Sequence, residues 1–403
     1  MKGSPGPRTS RVVKPAAVIT VVVVVLLCLG VAAAAGRSTA HRTAAPQVIT
    51  VGTDGCGRGL GEAHSGRLSY RVRNGGASPE EVTVLDQDHR YAYGALELLA
   101  PGTTRTLVVL LPPGSYSFSC EADSGTIGYS DPFKITGRPV SGVHRWLPAT
   151  YGQLANAVSR YRASVGAGLS RLAADTDRLA AAVKDHDHQL AEQRWLTAHL
   201  DYERLGAAYG TFGDFADRID GRPDGLPNGV HDKDFSGFHR LEYALWHGAD
   251  ADDVRRATDR LDRDVHELVS VFGRQITDPN DVALRTHEVL ENTLQFELTG
   301  ATDQGSHTNL ATAKANLDGT RMTLAALTPV LRHNDPALLA TATRSLDRLG
   351  QVLAADHRGG RWLGLDELST NGRERLDGTL AQTLEQLAPI PTELEILTTH
   401  DDG

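Results

Sequence analysis

Near residue 148 the spacing of apolar residues changes from two to three or four, and this change constrains the fold more than any other feature. Upstream, Leu68, Tyr70 and Val72 fall on alternate positions, as do Tyr116, Phe118 and Cys120, so each set shares one face of a strand. Short runs rich in β-branched and aromatic residues (48–51, 68–72, 82–85, 106–111 and 116–119) are separated by Gly, Pro, Asn and Asp clusters. They predict a small β-sandwich over residues 47–137. Downstream of a Pro/Gly-containing linker at 138–148, helical stripes take over, such as Leu169, Leu172, Leu179 and Val183, or Leu338, Ala342, Leu346, Leu349 and Leu353. Asp278-Pro279 and Asp335-Pro336 place an acid at the cap and proline in the first turn, which marks helix starts. About seven or eight helices with short loops, over residues 149–400, predict antiparallel bundles. The fold class is therefore multidomain α and β.

The N-terminus sets the compartment. Lys2, Arg8, Arg11 and Lys14 precede an apolar run, Ala16 to Ala35, whose only hydroxyl residue is Thr20. Its length suits a membrane-spanning helix with the basic end in the cytoplasm. The small residues Ala32 to Gly36 would also suit signal peptidase, but the run exceeds the usual signal core, and a retained signal-anchor over residues 1–36 is favoured. Residues 37–46 read as a polar linker, and everything beyond Gly36 is expected outside the cytoplasm. Cys56 and Cys120 are an even pair in this exported region, which favours a disulfide over metal-ligating thiolates. A net charge of -9 argues against nucleic acid as a partner.

On helical stripes the informative residues are those that break the apolar rule. Leu196, Leu200, Glu203 and Ala207 recur at helical spacing between Trp195 and Gly210, so Glu203 faces inward. Burying that carboxylate is costly unless it meets a cation, either Arg194 or Arg204 in an ion pair or a bound metal. Between Gly237 and Trp246, His239 and Glu242 are three apart and share one helical surface. Imidazole and carboxylate together suit iron, zinc or copper, and such H-x-x-E pairs build metal sites inside bundles. Taken alone the pair is weak, since hydrogen-bonded pairs of this kind are common on surfaces.

The context at 237–245, G-F-H-R-L-E-x-A-L, resembles the signature of the imelysin family, and in particular its EfeO-type iron-uptake members. Tyr202-Glu203-Arg204, the S-H-T-N-L stretch at 306–310 and A-N-L-D-G at 315–319 agree in order and separation. The resemblance extends loosely to a cupredoxin-like β domain ahead of an all-α domain of two four-helix bundles. It implies a metal site of Glu203, His239 and Glu242. An acid expected soon after S-H-T is replaced here by Ala311-Thr312-Ala313, so Asn309 or Thr312 is left to contribute an oxygen. In the β domain it implies Cys56 and Cys120 as matching cysteines, which Glu81 or Glu97 would join as ligands. His64 and His89 lie in expected loops, and no Met separates Met1 from Met322, so a blue-copper centre is not expected. The implied function is iron capture (Fe2+ or Fe3+, with zinc or copper as alternatives), without enzymatic activity. The implied partners are a membrane iron permease and a secreted haem peroxidase. A metallopeptidase is the competing reading, weakened because no H-E-x-x-H is present. A non-catalytic interaction module with a degenerate metal site is the third.

Overall fold

In the computed structural model, residues 47–52, 55–122 and 126–396 are described. The expected membrane segment and the linker after it lie outside these residues; among the described residues no helix is long and apolar enough to cross a membrane.

The alternating pattern builds two sheets. The first is β1 (Gln47–Val51), β3 (Gly66–Asn74) and β6 (Thr104–Leu111), with β3 in the middle, parallel to β1 and antiparallel to β6. The second runs β2 (Ala63–His64), β9 (Phe133–Thr136), β7 (Gly114–Ala122), β4 (Glu80–Asp86), β5 (Ala92–Leu99), with β8 (Ile127–Tyr129) also on β7. Tyr70 and Val72 of β3 point inward while Arg71 and Arg73 are exposed. Across the core, the Tyr70 ring meets Phe118 edge-on at 5.3 Å, and Phe118 stacks on Phe133 at 5.5 Å. Cys56 and Cys120 are joined in a disulfide, which staples the β1–β2 loop to β7. A bridge of this separation is worth about 2–4 kcal/mol to a small domain.

The 138–148 stretch is docked rather than free. Trp146 pairs with Ala92 across a β-bridge and packs on Leu85, while Asn334 Nδ2 donates to the Leu147 carbonyl at 2.9 Å. A capping box at Thr150 then starts α1 (Tyr151–Lys184). The remaining long helices are α2 (His188–Glu203), α3 (Asp214–Asp220), α4 (Phe238–Trp246), α5 (Ala251–Phe272), α6 (Pro279–Asn292), α7 (Asn309–Asn334), α8 (Pro336–Ala354) and α9 (Thr370–Leu387). Both Asp-Pro starts are as expected: Asp278 accepts from Asn280 N, and Asp335 from the amides of Ala337 and Leu338. Helices α1, α2, α4 and α5 pack in one ring and α6, α7, α8 and α9 in another. The rings meet where α7 lies against α1 and α2.

The stripe expected to continue to Gly210 stops short. Helix α2 ends at Glu203, Ala207 falls in a 3-10 turn, and Leu196 and Leu200 are half-buried. The face that is buried instead carries Ala191, Trp195, Ala198, His199 and Tyr202. Close approach explains the tight ending. A Cβ on Gly319 of α7 would sit 2.7 Å from the Arg204 carbonyl oxygen, so only glycine lets α7 pass the end of α2.

Candidate metal centre

Three elements converge on one buried point between the rings. Helix α2 supplies His199 and Glu203, one turn apart on the same face. Helix α3 supplies Asp220 at its last position, and α4 supplies His239. The start of α4 is fixed by Gly237, whose φ is +85° and where a Cβ would lie 2.2 Å from the Ile219 carbonyl oxygen. No side chain fits there, so glycine brings the first turn of α4 against the residue preceding Asp220. Trp195 Nε1 donates to the Phe238 carbonyl at 3.0 Å and ties the same turn to α2.

The donor atoms point at one another. His199 Nε2 lies 3.4 Å from Glu203 Oε1 and 3.5 Å from Asp220 Oδ1, and His239 Nε2 lies 3.7 Å from the same Asp220 oxygen. These approaches lack hydrogen-bond alignment: both His199 nitrogens and Asp220 Oδ1 are buried without a hydrogen-bond partner. Ligand atoms around one ion, each about 2.1 Å from it, sit roughly 3.0–3.5 Å apart, close to these separations. Buried polar atoms that are near each other but not hydrogen-bonded to each other fit a shared cation. Alongside is a cavity of about 340 Å³, lined by Glu203, Asp220, His239 and Glu297.

Glu297 is held there by an irregularity. After α6 the chain enters a π-helical turn, Thr293–Glu297, with Leu298 N bonded to the Thr293 carbonyl. Asn309 Nδ2 then approaches Glu297 Oε2 at 3.4 Å and Thr302 Oγ1 at 3.2 Å, so Asn309 orients this carboxylate.

Glu242 is placed one step back. Its Oε2 pairs with His239 Nδ1 at 3.2 Å. Its Oε1 accepts from the amides of Gln304 and Ser306 and from the Ser306 hydroxyl at 2.6 Å. With both oxygens engaged, Glu242 fixes the His239 tautomer and leaves Nε2 aimed at Asp220. The S-H-T segment thus serves the centre through Glu242. Thr312 donates to its own helix at the Thr308 carbonyl. Neither arginine considered as a partner for Glu203 fills that role by contact: Arg204 pairs with Asp201 at 2.7 Å.

The electrostatics follow from burial and crowding. Burial lowers the basicity of His199, but Asp220 and Glu203 more than offset it and hold the imidazole well above its ordinary value. His239 is raised in the same way by Asp220 and Glu242 against burial. Burial also pushes Glu242 up, yet His239 and Ser306 bring it down to about 2. Burial, then the Glu203 charge, push Glu297 up to about 7. Two imidazoles that favour their protons and a carboxyl that titrates near neutrality give a cluster able to exchange protons for a metal cation.

Sequence reasoning brought Glu203, His239 and Glu242 to this place and missed His199, Asp220 and Glu297. His199 had a signal, because it sits four residues before Glu203 on the same helix. Asp220 closes a seven-residue helix and Glu297 a π-helical turn, both too short for periodicity to register. In the β part, both sulfurs of Cys56 and Cys120 are in the disulfide. Glu81 faces a seam with Glu80 and Glu395, and Glu97 accepts from the Thr392 hydroxyl. His64 approaches Thr136 and His89 bonds Ser117, each separately.

With this geometry in hand, comparison with known proteins is decisive. The family model described as imelysin, peptidase M75, matches residues 157–390. The chain belongs to the imelysin family. Among curated relatives, the iron uptake system component EfeO of Escherichia coli O6:H1 is 25% identical over 346 residues, covering 86% of this chain and 90% of that protein. The EfeO of Escherichia coli K12 is 26% identical over 294 residues, covering 73% and 77%. An imelysin-like protein from Psychrobacter arcticum superposes with a TM-score of 0.49 and 14% identity, over 61% of this chain and 96% of that one.

Proposed function

We propose that this chain is the extracytoplasmic iron-binding component of an iron uptake system. It captures iron, as Fe2+ or Fe3+, between His199, Asp220 and His239, with Glu203 and Glu297 beside them. The observation that carries the reading is the convergence of unpartnered His199 and Asp220 atoms with His239 Nε2 on one buried point. The iron itself comes from the relatives, which are named as iron uptake components. Mixed imidazole and carboxylate ligation suits iron and is compatible with zinc or copper.

In this reading the β part is a cupredoxin-like domain over 47–137 whose disulfide suits an oxidising compartment, and the two helix rings are the family's two four-helix bundles. Residues 1–36 hold it to the membrane, close to the iron permease it supplies and the haem peroxidase that accompanies it. Capture is favoured over peptide hydrolysis because the relatives are named as iron uptake components and the chain has no H-E-x-x-H. Glu242, which burial pushes up but His239 and Ser306 hold down to about 2, is a weak base.

The test is metal analysis of the purified full-length chain after iron loading. Wild type retains iron, whereas His239→Ala and Asp220→Asn lose it. Iron retained by both variants at the wild-type level overturns the reading. Casein cleavage that disappears in the same variants replaces it with the peptidase.

A further inference from the structure

A second group of ligand atoms lies where the connector meets the end of the helical part. His144 comes from the 138–148 connector, Asp335 from the turn between α7 and α8, and Glu393 from the short helix Pro389–Glu393. His144 Nε2 is 2.8 Å from Glu393 Oε1, and its Nδ1 is 3.9 Å from Asp335 Oδ2. Asp335 Oδ1 is engaged at the cap of α8, which leaves Oδ2 turned toward the imidazole. Glu393 is only 4% exposed, and its Oε2 has no hydrogen-bond partner. Two buried carboxylates facing one imidazole leave an excess of negative charge, which a protonated histidine alone does not cancel. Trp146 stacks on the ring and steadies it, while the outer side of His144 opens to a cavity of about 540 Å³.

The geometry points to a second metal site, formed by His144, Asp335 and Glu393, that takes a divalent transition ion such as zinc. One nitrogen and two carboxylate oxygens within 4.8 Å of one another form the protein side of an open three-ligand site, with water completing the shell. The consequence is structural. An ion here would clip the connector, and through Trp146 the β-sandwich, to the last turn of the helical part.

The site is independent of the bundle centre, so it is tested with that centre removed. Full-length His239→Ala, Asp220→Asn chain is dialysed against zinc, or cobalt(II) as a coloured probe. About one zinc equivalent remains bound, with a visible cobalt spectrum, and zinc raises Tm. Adding His144→Ala or Glu393→Gln abolishes all three responses. Because the His144 side chain is largely exposed, its replacement leaves the circular dichroism spectrum and, in the otherwise native chain, iron binding intact. Zinc content and Tm shift that persist unchanged in both variants, or no zinc bound at all in the parent, reduce the cluster to an ion pair and overturn the proposal.

Discussion

The β-sandwich and the helical part handle polar groups in opposite ways. In the sandwich, histidines are satisfied singly by hydroxyls, and the buried polar residues, such as Asn74, Thr83 and Ser117, are dispersed around a core of rings, aliphatics and a disulfide. In the helical part, two imidazoles and four carboxylates are brought together, all buried except the half-buried Asp220. A small sandwich buries too little apolar surface to hold grouped charges at its centre, where a covalent staple supplements the core, and its glutamates gather at the edge seam. Two rings of long helices have stability in reserve, which can hold a cluster unfavourable to the empty fold but well suited to a cation.

The contrast can be broken most sharply at the buried centre. Asp220→Asn removes the negative charge that both histidines face and leaves at most a neutral amide oxygen, and iron affinity falls by roughly 100-fold or more, measured by competition with a chelator. If affinity stays within about threefold, the helical cluster is structural and the two regions do not differ in kind. Cys56→Ser, Cys120→Ser should do the reverse: it lowers the stability of the sandwich by about 2–4 kcal/mol in denaturant unfolding and leaves iron affinity unchanged. A loss of iron on removing this bond would tie the two regions together.

Smaller effects sharpen the picture. Glu242→Gln cannot accept from Ser306 and from His239 Nδ1 with both ends of its side chain, since one end is now a donor. The ring loses its orientation, and affinity drops about 10–100-fold, with zinc used as a second probe. Glu297, with its pKa near 7, gives the mildest and most diagnostic effect. Its raised value means that the folded chain holds a proton there up to neutrality, and metal must displace it. Affinity therefore declines as pH falls below about 7, by up to roughly tenfold per unit, and Glu297→Gln flattens that part of the profile. Equal slopes in wild type and variant would place Glu297 outside the cation's reach.

Much of this was legible in the sequence because it is periodic. Alternation located the strands, and the stripe and the i, i+3 pair located Glu203, His239 and Glu242. What the pattern did not reveal was role. The same spacing that puts Glu242 beside His239 allows it to be a ligand or a support, and its contacts with His239, Gln304 and Ser306, invisible to spacing, are those of a support. The Glu203 stripe also pointed past the true end of its helix, because spacing cannot register the backbone of α7 pressing on Arg204. Asp220 and Glu297 depend on where a short helix and a π-helical turn finish, which is a tertiary matter.

The π-helical turn at Thr293–Glu297 has an evolutionary consequence. A residue added to a helix turns all that follows by about 100°, so insertions and deletions, rather than substitutions, decide which side chain looks inward here. A relative lacking one residue in this turn would keep its glutamate in the written sequence yet present it to a different neighbour. Divergence of metal handling between such relatives would then track gaps at this turn, with the ligand residues themselves unchanged.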